Sequence, residues 1–126
     1  MRKALGYSVI WIVVTLWSAL PARAAELLMF ESAYCEWCER WDEEIGVVYD
    51  KTEEGRAAPL RRVQLRDGLP DGIEFASRPN YTPTFVLVHE GREIARLEGY
   101  PGEHFFWPIL AQMLERLLGG PLPATN

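Results

Sequence analysis

The chain has 126 residues, 48% of them hydrophobic, and its 18 acidic residues outnumber 13 basic ones for a net charge of −5. That length supports one domain with a modest core, and the acidic balance argues against nucleic acid as a partner. Two cysteines and two histidines are the only soft ligands on offer, a thin stock for a metal centre.

Arg2 and Lys3 precede an apolar run from Ala4 to Leu20, Pro21 breaks it, and Ala22-Arg23-Ala24 is the small-x-small pattern a signal peptidase reads. Residues 1–24 are therefore expected to be an export signal cleaved after Ala24. The alternative is an uncleaved membrane anchor, for which the run falls just short of a comfortable span. Either reading exports the remainder, and a periplasmic location is expected. Cleavage removes Arg2, Lys3 and Arg23 but no acidic residue, leaving ten basic against 18 acidic residues and a net charge of −8.

In the exported part, Leu27–Phe30 reads as a short buried strand, and Glu31-Ser32-Ala33-Tyr34 leads from it to Cys35-Glu36-Trp37-Cys38. Trp37, Trp41, Ile45 and Val48 then recur at three- and four-residue intervals, one face of a helix running to about Tyr49 with a distortion at Gly46. Asp50–Pro59 reads as a polar connection with Gly55 and Pro59 as breakers, and Leu60–Leu65 as the second strand. Gly68, Pro70 and Gly72 leave space for only a short helix around Asp71–Phe75. Tyr81-Thr82-Pro83-Thr84 opens onto the buried strand Phe85–Val88; Glu90-Gly91-Arg92 is a turn, and Glu93–Glu98 the hairpin partner. After Gly99-Tyr100-Pro101-Gly102, a last helix shows Phe105, Phe106, Ile109, Leu110, Met113, Leu114 and Leu117 at helical spacing, with Gly119-Gly120-Pro121 ending it. Residues 25–118 form one expected domain and 119–126 a disordered tail.

A strand that delivers Cys-x-x-Cys to the first turn of a helix puts one sulfur where backbone N–H groups and the helix dipole favour a thiolate. That arrangement serves thiol–disulfide exchange. A structural bridge would close a loop too short to restrict the unfolded chain much. A zinc site needs two further ligands, and His89 and His104 have no ligand spacing. A third alternative is a binding module whose disulfide stays closed.

The order β-α-β-(α)-β-β-α, with Cys-x-x-Cys at the first strand-to-helix junction and a proline just before the third strand, resembles the thioredoxin fold. The expected class is thus α/β, a mixed central sheet flanked by helices. Cys-Glu-Trp-Cys-Glu-Arg-Trp-Asp-Glu-Glu-Ile-Gly (35–46), Thr-Pro-Thr-Phe-Val-Leu (82–87) and Glu-Gly-Tyr-Pro-Gly-Glu-His-Phe-Phe-Trp (98–107) resemble more closely the SoxS family of periplasmic thioredoxins associated with sulfur-oxidation systems. The resemblance implies that Cys35 attacks, Cys38 resolves, Pro83 is cis beside them, and Thr82 and Gly99 line a groove for an extended substrate, with Tyr34 and Trp37 flanking the sulfurs. It also implies a monomer without a bound cofactor, a cysteine-bearing sulfur carrier as partner and a membrane thiol transporter as electron donor. General disulfide reduction, cytochrome c maturation and disulfide oxidation are the rival activities.

Direction turns on charge. Glu36, Glu39 and Glu31 stand close to Cys35 in sequence, and a unit charge about 4 Å away costs roughly 1 kcal/mol even in water, enough to offset a helix dipole worth about 0.3–1 kcal/mol. A less stabilised thiolate makes a more reducing couple, so a reductase is expected. The family's buried aspartate six residues before the first cysteine is replaced by Met29. Arg61 or Arg62 would then stand near the site of that aspartate's lysine partner as a cation without its usual anion, and Glu31 would be a surface residue or a substitute proton relay.

Overall fold

The computed structural model describes residues 25–118; the expected export signal (1–24) and tail (119–126) lie outside the described residues. Strand β1 (Glu26–Glu31) leads into α1 (Glu36–Trp41), then come α2 (Glu53–Ala57), β2 (Leu60–Gln64), β3 (Thr84–His89), β4 (Arg92–Glu98) and α3 (Glu103–Leu118). The four strands make one mixed sheet in the order β2-β1-β3-β4, with β1 parallel to β2 and antiparallel to β3, and β3 antiparallel to β4. This is the expected architecture.

Strand alternation divides the core in two. Leu27 and Met29 of β1 and Phe85 and Leu87 of β3 face the helices, where Trp41, Ile45, Tyr49, Phe106, Leu110 and Leu114 close over them. Leu28, Phe30, Val86 and Val88 face the other way, under Val63, Leu65, Ile73 and Phe75. Both faces are covered, so β1 and β3 read as unbroken apolar runs.

Three expectations change. The first helix does not run evenly to Tyr49: a π-helical turn spans Asp42–Gly46, and a 3-10 turn follows at Tyr49–Lys51. A π turn takes one residue more than an α turn, so the apolar stripe passes from Trp41 and Ile45 to Tyr49, while Val48, expected on that face, is 40% exposed. Asp50–Pro59 is not simply a connection, because it contains α2. The Thr52 side chain caps that helix by accepting the Gly55 N–H at 3.0 Å, with Glu53 and Glu54 in the first turn. Gly55 is no breaker there: a Cβ on it would lie 1.8 Å from the Tyr49 carbonyl oxygen. Nor is there a helix over 71–75. Leu65–Asp67 forms a 3-10 turn, and Glu74 instead bridges to Arg92 as a strand would, its N–H bonding the Gly91 carbonyl at 2.8 Å. Ile73 and Phe75, two residues apart, thereby both reach the lower core, where the Phe75 ring meets Phe30 edge-on at 5.9 Å.

Candidate active site

Register brings the site together. Phe30 at the end of β1 pairs with Thr84 at the start of β3, which pairs in turn with Glu98 at the end of β4. The loops leaving β1, entering β3 and leaving β4 therefore meet at one end of the sheet, carrying Cys35, Thr82-Pro83 and Gly99. Cross-links fix the meeting. Ser32 and Thr82 share a hydroxyl–hydroxyl bond of 2.8 Å, the Gly99 N–H donates to the Pro83 carbonyl at 2.7 Å, and the buried Thr84 hydroxyl donates to the Tyr81 carbonyl at 2.8 Å. The Thr82–Pro83 peptide is cis, as the resemblance implied, and Pro83 is buried.

Cys35 and Cys38 are joined in a disulfide with a Cα–Cα distance of 5.2 Å. Cys35 is the N-cap of α1, and its sulfur accepts the Cys38 N–H at 3.2 Å. The two sulfurs differ in access. Cys38 is 4% exposed and belongs to the upper core with Met29 and Trp41, whereas Cys35 is half-buried at the rim. Tyr34, immediately before it, has φ 58°, a left-handed conformation uncommon for a bulky residue, and its side chain stands fully in solvent. Trp37, expected on the core face, is 51% exposed in the first turn, with the Arg40 guanidinium 5.7 Å from its ring centre.

The three glutamates divide. Glu36 and Glu39 are exposed in the first turn of α1 and make no ion pair among the described residues. Glu31, with its side chain only 16% exposed, accepts from Arg62 at 2.8 Å and from Gln64 at 3.2 Å. Arg62 also donates to Asp42 at 2.5 Å and lies 5.8 Å from the Trp41 ring centre. The cation expected to lack an anion has two. Parallel pairing of β1 with β2 sets Met29 opposite Arg62, which explains the placement. Its neighbour Arg61 points elsewhere, 3.6 Å from Glu26.

A second network flanks Trp37 and escaped the sequence reading. The buried Tyr100 hydroxyl donates to Glu44, which also accepts from Arg40 at 3.0 Å. The bond from Tyr100, then that from Arg40, holds the Glu44 carboxyl below its usual range; burial, then the bond to Glu44, pushes the Tyr100 phenol up. Only the four-residue spacing of Arg40 and Glu44 was visible in the sequence. His89 ends β3 with Nε2 3.7 Å from Glu90, while His104 is exposed in the first turn of α3. Among the described residues no three His, Cys, Asp or Glu side chains gather as metal ligands would.

No protein-family model matches the chain, and no curated protein does. Among solved structures, it is similar to the periplasmic thioredoxin SoxS from Paracoccus pantotrophus, determined in its reduced form: 54% identity, a TM-score of 0.72, and coverage of 74% of this chain and 98% of that one. The thioredoxin of Malassezia sympodialis (Mala s 13) is far more distant, at 19% identity and a TM-score of 0.48 over 71% of this chain and 75% of that one. With its paired cysteines at a strand-to-helix junction and 54% identity to that protein over an alignment that spans 98% of it, this chain belongs to the SoxS family of thioredoxins and is a thiol–disulfide oxidoreductase.

Proposed function

We propose that the protein is an exported reductase that works in the periplasm and restores the cysteine of a sulfur-carrier protein, with Cys35 as attacking sulfur and Cys38 as resolving sulfur. The observation that carries this reading is the unequal access of the two sulfurs, one at the rim on a helix terminus and one in the core. In the reduced protein the Cys35 thiolate attacks a partner disulfide, forming a mixed disulfide and expelling one partner thiolate, which takes up a proton. Cys38 then loses its proton and attacks the Cys35 sulfur, closing the bridge described here and releasing the second partner thiol. Two electrons pass from the dithiol to the partner. A membrane thiol transporter returns them by the reverse exchange.

The partner segment lies extended across the groove, where Thr82 offers its backbone, Pro83 and Gly99 form the floor, and Tyr34 and Trp37 give apolar contact. Reducing direction rests on Glu36 and Glu39, whose negative charges in the first turn of α1 disfavour the thiolate and hence favour handing its electrons on. Glu31 is tied into the Arg62 bridge and tunes the site more weakly. Residues 1–24 serve as the export signal. No bound cofactor is needed, and the exchange works as a monomer.

Trapping is the test. Cys38→Ser expressed in the native envelope should retain one covalently attached partner through Cys35, released by a reductant; a ladder of unrelated clients would replace the dedicated carrier with a general reductase, and haem-binding apoproteins would place the enzyme in cytochrome maturation. A reduction potential as high as that of strong periplasmic oxidants, about −120 mV, would overturn the reducing direction.

A further inference from the structure

Beside the exchange groove, α1 leaves one face without a partner. Trp37 stands half out of the surface there, and a cleft of about 580 Å³ opens between it and the start of α3, lined by Arg40, Glu44, Tyr100, Glu103 and His104. A second hollow of about 350 Å³ adjoins it, sharing Arg40 and Glu44 and adding Glu36, Glu39 and Glu43. The surface thus couples an aromatic platform with a strongly unbalanced charge. Arg40 is its one cation among the described residues, and it is already engaged by Glu44 and the Trp37 ring. Glu36, Glu39, Glu43 and Glu103 are exposed and enter no ion pair among the described residues.

We infer that this face docks a basic polypeptide segment: the partner carries a lysine or arginine near its reactive cysteine, and that side chain lies along Trp37 with its charge among Glu36, Glu39 and Glu43. The inference rests on the exchange reaction proposed above and specifies which chain Cys35 receives. An apolar stem with a cationic tip suits such a surface, because the methylenes cover the ring while the charge stays near water. Spacing follows from the helix. At about 1.5 Å rise per residue, Glu36 to Glu43 extends roughly 2–12 Å from Cys35, which an extended partner chain crosses in about three residues. A second positive charge would find the outer end of the same acidic row, and a negative one would be repelled along its length.

The test uses ten-residue peptides with a single cysteine held as a mixed disulfide with 2-mercaptoethanol, a neutral cap, and with Lys, Ser or Glu three residues from the cysteine on either side. Prereduced protein is mixed with each, quenched in acid, and the released peptide thiol is separated and measured. The Lys peptide should react about tenfold faster than the Glu peptide at low ionic strength, with Ser between them, and the ratio should shrink as salt rises to about 0.5 M. In Glu39→Lys/Glu43→Lys the ratio should fall to about one or invert. Because it is taken within each variant, a general change in thiol reactivity cancels. Equal rates for the three peptides, or a ratio unmoved by the double reversal, overturns the basic-segment inference while leaving exchange intact. Failure to reduce any peptide, and 2-hydroxyethyl disulfide as well, overturns the exchange reading itself.

Discussion

Replacing Gly55 with alanine sets two effects of opposite sign against each other. Within a helix, glycine to alanine ordinarily stabilises by about 0.5–1 kcal/mol, because alanine has less backbone freedom to lose. At Gly55, however, the new Cβ would lie 1.8 Å from the Tyr49 carbonyl oxygen and 2.7 Å from its carbon. An ordinary contact there is about 3.2 Å, so the backbones must part by roughly 1.4 Å, far more than bond-angle relaxation absorbs cheaply. That carbonyl also accepts the Thr52 hydroxyl at 2.6 Å and the Thr52 N–H at 3.2 Å. Losing both costs about 1 kcal/mol each, and moving Tyr49 disturbs the buried bond from its hydroxyl to the Ala58 carbonyl at 2.7 Å. Clash and lost bonds outweigh propensity, and Gly55→Ala should destabilise by about 2–3 kcal/mol. Urea unfolding at neutral pH reads this as a midpoint about 1–2 M lower with unchanged slope. A midpoint equal to or above that of the parent would refute the reasoning, since it would mean that the Tyr49 turn yields freely.

Other consequences can be checked on the same protein. Glu36→Gln should raise the reduction potential by about 10–20 mV, the equivalent of removing roughly 0.5–1 kcal/mol of charge repulsion, as read from equilibration with glutathione; an unchanged potential would show that solvent screens Glu36 from the sulfur. The Glu44 carboxyl is held below its usual value of 4.5 when folded, so its contribution is fully present above that value and is lost as the pH falls through the lowered one. The urea midpoint should therefore decline between about pH 5 and about pH 3, and more shallowly in Glu44→Gln. Thr84→Val removes the hydroxyl that anchors the Tyr81 carbonyl beside the cis-proline, and should cost about 1–2 kcal/mol with a measurable slowing of disulfide reduction.

How far the sequence could be read depended on the range over which each feature is determined. Strands β1, β3 and β4 and helix α3 were legible because their periodicity is local and strong, and the cysteine pair with the threonine–proline step gave away the site because their spacing is itself the chemistry. Helix α2 was hidden by its five-residue length and by a glycine that looks like punctuation until Tyr49 is seen pressed against it. The segment around Ile73 and Phe75 was misread because the glycines before it, Gly68 and Gly72, fit the start of a short helix as well as an extended turn. Pairs that depend on sheet register or on docking of distant elements, Arg62 with Glu31 and Tyr100 with Glu44, leave no mark in a linear string.

The π turn at Asp42–Gly46 makes the protein respond unequally to gain and loss of a residue at this point. One added residue is what directs the Tyr49 ring inward, against Trp41 at 6.0 Å and stacked with Trp107 at 6.2 Å. Deleting one residue there would let an even α-helix carry Tyr49 to this same inward position, whereas inserting one would add a residue that the turn has already no room to absorb and would swing the ring off the core, so that a gap in the gene at this point would be felt less than an insertion.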